Sequence, residues 1–136
     1  MTERHLSGKV AWVTGSSRGI GRIIATHLAS CGAHVVVQGT SPTSTRAFGE
    51  AESLEAVAAE ISREHGVEVL AVWGDLTDES VVQRMVGQIR ERFGRIDILV
   101  NCAGGDIGAR GVEAPNAGKP EGNDAVHISL DDIRTV

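Results

Sequence analysis

The chain has no tyrosine, two cysteines, three prolines and an aromatic content of 3%. Without a phenolic hydroxyl, no tyrosine acid or base exists within these residues. Cys31 and Cys102 each sit inside an apolar segment and form no Cys-x-x-Cys pair, which reads as buried reduced thiols rather than a disulfide or a nucleophile. His5, His27, His34, His65 and His127 show no ligand spacing and no His-Glu-x-x-His occurs, so no metal is assigned. Basic residues form no stripe and the formal net charge is −5, which argues against the phosphate-neutralising surface of a nucleic-acid binder. No apolar run approaches the ~20 residues that cross a bilayer. Residues 1–9 are polar and lack the apolar stretch of a secretion signal. The expected location is therefore cytoplasmic, with no membrane and no nucleic-acid partner.

What is present is a globular composition, 41% apolar and 23% charged over 136 residues, enough for one domain with a core and too little for two ordinary ones. Lys9-Val10-Ala11-Trp12-Val13 is a short apolar run of the kind buried in a parallel sheet. From Ile20 the apolar positions Ile20, Ile23, Ile24, Leu28 and Cys31 share one helical stripe, with Gly32 where a C-terminal cap belongs. A second strand is predicted over 34–38, a loop over 39–49, and a helix over 52–65 that buries Leu54, Val57, Ala58 and Ile61 and ends at Gly66. A third strand over 67–73 leads through a turn to a helix capped by Thr77 or Asp78, with Val82, Met85, Val86, Ile89 and Phe93 inward and Gly94 closing it. A fourth strand follows over 96–100. Residues 105–128 have no apolar period and read as one long loop, suited to a substrate entrance or a subunit contact. Ser129 then caps a helix with Asp132 in capping-box position.

Strands alternating with helices in this way predict the α/β class: a Rossmann-type doubly wound parallel sheet, incomplete, in the order 3-2-1-4, forming one dinucleotide-binding domain over 1–136. Between the first strand and the first helix lies Thr14-Gly15-Ser16-Ser17-Arg18-Gly19-Ile20-Gly21. The spacing Gly-x-x-x-Gly-x-Gly, set in a βαβ unit, suits a cradle for a pyrophosphate, because a Cβ would hold the backbone away from it and the helix start offers free N–H groups. A mononucleotide P-loop is excluded for want of Gly-Lys-Ser/Thr. Asn101-Cys102-Ala103-Gly104 stands at the carboxyl end of the fourth strand, where open parallel sheets bind ligands.

Over Gly8 to Gly104 these residues resemble the short-chain dehydrogenases/reductases, in the classical branch that includes the 3-oxoacyl-carrier-protein reductases. Residues 14–21 are similar to that family's T-G-x-x-x-G-x-G, which makes Gly15, Ser16, Ser17, Arg18, Gly19, Ile20 and Gly21 candidate cofactor-binding residues. Gly74-Asp75-Leu76 resembles its acidic turn, implying that Asp75 contacts the adenine amino group and Leu76 offers its backbone beside it. Residues 101–104 resemble its N-N-A-G, with Cys102 in place of the second Asn. The resemblance implies that Asn101, Ala103 and Gly104 border the ribose and nicotinamide, Asn101 partly by holding the sheet together. An acid at the end of the second strand would bond both ribose hydroxyls of NAD and repel a 2′-phosphate. Gln38-Gly39-Thr40-Ser41 contains none. Thr40 and Ser41 read either as plain turn residues or as phosphate donors helped by Arg18, and the expected cofactor is NADP(H) over NAD(H).

The resemblance implies hydride transfer between that cofactor and a ketone or secondary alcohol, carried out by a Ser, a Tyr and a Lys that it places beyond the fourth helix. No catalytic residue is assigned in this chain, since Lys9 and Lys119 belong to no Tyr-x-x-x-Lys. The chain is thus expected to be the cofactor half of an NADP-dependent oxidoreductase for a small carbonyl or alcohol substrate, homo-oligomeric when full length and inactive alone. Ile96, Ile98 and Val100 are expected on an uncovered sheet edge, which favours aggregation or a covering partner. The alternatives are a non-catalytic dinucleotide-binding or sensing domain and, less well matched to the Asp75 and Asn101 motifs, a Rossmann-like methyltransferase.

Overall fold

The computed structural model describes residues 3–105, 114–115, 119 and 126–135, in two compact units, Met1–Ala103 and Gly104–Val136. The first unit holds four parallel strands: β1 (Val10–Val13), β2 (His34–Gly39), β3 (Val69–Trp73) and β4 (Ile98–Val100). They lie in the expected order, β3-β2-β1-β4. Because all run the same way, the segments after Val13, Gly39, Trp73 and Val100 emerge along one edge of the sheet.

Side chains alternate across a strand, so each run of valines feeds two cores. Val13, Val35 and Val37 pack with Ala25 and Ala29 of helix α1 (Gly19–Ser30) and with Leu54, Val57, Ala58 and Ile61 of α2 (Leu54–His65). On the other face Val10, Trp12, Val36 and Val72 pack with Met85 and Ile89 of α3 (Glu79–Phe93). Both faces of the central strands are covered, which is why they read as continuous apolar runs. Helices α2 and α3 follow their predicted periodicity. Each starts on a side-chain cap, Ser53 accepting from the Ala56 amide and Asp78 from the Ser80 amide, and each ends on a left-handed glycine, Gly66 or Gly94.

Helix α1 departs from the expected stripe. Its buried residues are Gly21, Ala25 and Ala29, whereas Ile20 and Ile23 are 73% and 70% exposed. Gly21 lies so close to the preceding turn that a Cβ there would stand 2.2 Å from the Gly15 carbonyl oxygen. The face is chosen by clearance rather than by hydrophobicity. Ile24 and Leu28 still pack partly against the core.

The fourth strand starts at Ile98 rather than at residue 96, because Asp97 is tied sideways to β1. Its carboxylate accepts from the Val10 amide at 2.8 Å and from Arg95, and its own amide donates to the Val10 carbonyl at 2.8 Å. The exposed apolar residues here are Ile96 and Leu99, with Ile98 and Val100 half-buried, which corrects the expected edge pattern. The bond from Arg95, then that from the Val10 amide, holds the Asp97 carboxyl below its ordinary value of 3.8. A carboxyl depressed on folding stabilises fully above its unfolded pKa and loses that contribution as pH falls through the folded value. Melting temperature is therefore expected to fall below about pH 4, and Asp97→Asn should make that acid limb shallower in a melting series from pH 6 to 2.

The second unit contains helix α4 (Leu130–Thr135), entered through the predicted cap: the Ser129 hydroxyl donates to Asp132 Oδ2 at 2.7 Å and accepts from the Asp132 amide at 3.1 Å. The long loop expected over 105–128 lies for the most part outside the described residues.

Candidate functional site

Four turns meet the carboxyl edge of the sheet, and hydrogen bonds over long sequence distances join them. Thr14 Oγ1 accepts from the Cys102 and Ala103 amides at 3.0 and 3.1 Å, while the Thr14 amide donates to the Val100 carbonyl at 3.0 Å. The glycine turn is thereby seated on the end of β4. Gly15, at φ 62°, lies so close that a Cβ would stand 2.6 Å from Ala103 Cα, and a Cβ on Gly21 would stand 2.2 Å from the Gly15 carbonyl oxygen. Packing demands both glycines.

Gly19 differs: it also has φ 60°, but nothing lies within 4 Å of where its Cβ would be. Arg18 is the N-cap of α1, in extended conformation and without a side-chain cap bond. The amide of Gly19 instead donates to Glu50 Oε2 at 3.2 Å. The carboxylate meets the free amide and the positive dipole end of the helix, the two features that favour an anion there.

The other expected residues fall around this point. Ser16 is fully buried, its hydroxyl donating to the Val13 carbonyl at 2.6 Å and accepting from the Gln38 amide at 2.9 Å, so it is spent inside the protein. Ser17 is buried beside Gly39. Ile20 is exposed at the first turn of α1. After β2, Thr40 is exposed and Ser41 half-buried, the Ser41 carbonyl accepting from the Ser44 amide and hydroxyl. After β3, Asp75 is exposed; its carboxylate accepts from the Thr77 amide at 2.9 Å and the Thr77 hydroxyl at 2.7 Å, which hold it below the usual carboxylate range. Leu76 is half-buried against the α3 core. After β4, Asn101 and Ala103 are exposed and Cys102 half-buried. Gly104, at φ 130°, opens the second unit.

Two residues of this edge escaped sequence reasoning. Thr14 opens the T-G-x-x-x-G-x-G stretch but carried no assigned contact, and its partners lie 88 and 89 residues away. Gln38 had one available signal, an uncharged polar residue continuing a run of three valines in a strand that is otherwise buried.

The family model described as short chain dehydrogenase matches residues 9–131. The chain belongs to the short-chain dehydrogenase family. It is 43% identical over 102 residues to a 3-oxoacyl-acyl-carrier-protein reductase of Aquifex aeolicus, covering 75% of this chain and 38% of that one. It is 42% identical over 107 residues to a cyclohexanol dehydrogenase of Rhodococcus sp., covering 76% and 39%. Among solved structures, L-sorbose reductase of Gluconobacter frateurii, complexed with NADPH and L-sorbose, superposes with a TM-score of 0.67 at 36% identity, over 79% of this chain and 37% of that one. This short-chain dehydrogenase chain thus spans about two fifths of the length of the relatives it matches.

Short-chain dehydrogenases bind nicotinamide dinucleotides, and the residues described fit one. Gly19 leaves open space where a Cβ would stand, of the kind a phosphate needs to approach a backbone, and the exposed turns after β2 and β3 follow in order on one side of the glycine turn. Among the described residues, no helix is long and apolar enough to cross a membrane.

Proposed function

We propose that these residues are the NADP(H)-binding half of a cytoplasmic oxidoreductase acting on a small ketone or secondary alcohol, and that the protein is a homo-oligomer. The observation that carries the reading is the left-handed, open Gly19 at the start of α1, in the turn that follows β1 between the ends of β2 and β4. The bound cofactor supplies or accepts the hydride. The chain's own work is to hold it: amides at the start of α1 face the pyrophosphate, Ser17, Arg18, Thr40 and Ser41 meet the adenosine ribose, Asp75 and Leu76 border the adenine, and Asn101, Ala103 and Gly104 border the nicotinamide side. With no tyrosine among the 136 residues, no tyrosine acid or base is offered by them.

The preference for NADP(H) rests on the lack of a carboxylate in Gly39-Thr40-Ser41 and on Arg18 in the glycine turn. The NADPH complex of the sorbose reductase is consistent with it. Calorimetric titration of the intact protein should give a Kd for NADPH at least about tenfold below that for NADH, and Arg18→Ala should shrink the ratio. Near-equal constants in the wild type would overturn the preference.

A further inference from the structure

We infer that Gln38 is a positioning residue for the bound dinucleotide, its buried side-chain amide setting the glycine turn, the turn after β2 and the turn after β3 at a fixed spacing. The inference rests on the cofactor reading above and deepens it. Gln38 is 2% exposed. Its Oε1 accepts from the Gly15 amide at 2.8 Å, and its Nε2 donates to the Gly39 carbonyl at 2.9 Å and to the Gly74 carbonyl at 3.1 Å. Its backbone takes part as well, the amide donating to Ser16 Oγ at 2.9 Å and the carbonyl accepting from the Ser16 amide at 2.8 Å.

The chemistry of the partners dictates the orientation of the amide. A backbone N–H only donates and a carbonyl only accepts, so Oε1 must face Gly15 and Nε2 must face Gly39 and Gly74. No other side chain of this length supplies one acceptor and two donors without charge. Gln38 stands one residue before the end of β2, beside the backbone bond in which the Gly74 amide donates to the Gly39 carbonyl at 3.0 Å, and it adds side-chain bonds that tie these two strand ends to the glycine turn. Each turn it holds leads directly into a proposed contact: Gly15 into the phosphate loop, Gly39 into Thr40 and Ser41, Gly74 into Asp75. A site held rigid before the ligand arrives loses less freedom on binding, so these bonds act on affinity as well as on stability.

Methionine has nearly the same length and can make none of the three side-chain bonds, and it leaves the Gly15 amide and two carbonyls without these partners. The test is calorimetric titration of the intact protein with NADPH and with 2′,5′-ADP, which carries the adenosine half and lacks nicotinamide. Gln38→Met should weaken both ligands by about tenfold or more and to a similar degree, with stoichiometry unchanged. Val37→Ala, in the same strand and buried in the core, should lower the melting temperature yet leave both constants unchanged. If Gln38→Met does not fold, Gln38→Glu serves instead: it keeps the acceptor for Gly15, turns a carboxylate toward two carbonyls, and should weaken both ligands likewise. A folded Gln38 variant with wild-type constants would overturn the inference whatever its melting temperature. Wild-type protein that binds neither ligand would overturn the cofactor reading itself, so the two failures are told apart by which protein shows them.

Discussion

Gly21→Ala should lower the melting temperature by on the order of 10 °C, whereas Gly19→Ala should lower it by only about 3 °C and should in addition weaken NADPH binding by about tenfold or more. The two glycines sit two residues apart and look equivalent in the motif. At Gly21 the new Cβ would lie 2.2 Å from the Gly15 carbonyl oxygen and 3.0 Å from Ser16 Cα, all backbone, so the helix or the turn has to shift. Overpacking of this kind costs about 3 kcal/mol. At Gly19 the methyl meets nothing within 4 Å, and only the left-handed φ of 60° resists it, at about 1 kcal/mol. That methyl occupies the space through which a phosphate would reach the start of α1. Thermal melts paired with calorimetric titration separate the two effects. If Gly19→Ala binds NADPH as tightly as the wild type, the phosphate is seated elsewhere.

Thr14→Val should cost about 2–4 kcal/mol, while Thr14→Ser should retain most of the stability. Valine matches threonine in shape and differs in the oxygen that accepts from two amides, Cys102 and Ala103. Thr14 is only 6% exposed, so water does not readily replace that oxygen. Two donors lose their acceptor at once, and the glycine turn keeps only the bond from the Thr14 amide to the Val100 carbonyl at the end of β4. NADPH affinity should fall with it, because Asn101 and Ala103 are carried on the segment that is loosened. Urea unfolding of the three proteins gives the comparison; equal midpoints for Thr14→Val and wild type would show that these bonds contribute nothing.

How much of this was legible in the sequence depends on the range of the interaction. Helices α2 and α3, with Leu54, Val57, Ala58 and Ile61 on one and Met85 and Ile89 on the other, followed from local period alone. The strand order followed from the alternation of elements together with the glycine fingerprint. For helix α1 the same method held only in part: Ile24, Leu28 and Cys31 face the core, but a count of apolar residues also favours Ile20 and Ile23 over Gly21, Ala25 and Ala29. Period records hydrophobicity, and a close helix–turn contact selects on size. The candidate binding residues could be named because a fingerprint ties them to fixed local spacing. The residues that hold those turns together could not. Gln38 reaches 36 residues to Gly74, Thr14 reaches 88 to Cys102, and no spacing rule connects such partners.

Those long reaches also set the order in which the site comes into being. The β1–α1–β2 segment is local and can associate early, but Thr14 finds its partners 88 and 89 residues on, and Val10 meets Asp97 across 87. Contacts that close such large loops form late, because the closure entropy has to be met before they contribute anything. The glycine turn therefore exists in the growing chain well before it has a floor. On the ribosome, nucleotide affinity should arise only once residue 103 is free of the exit tunnel and β4 has docked, so that cofactor capture reports the completion of this unit's folding.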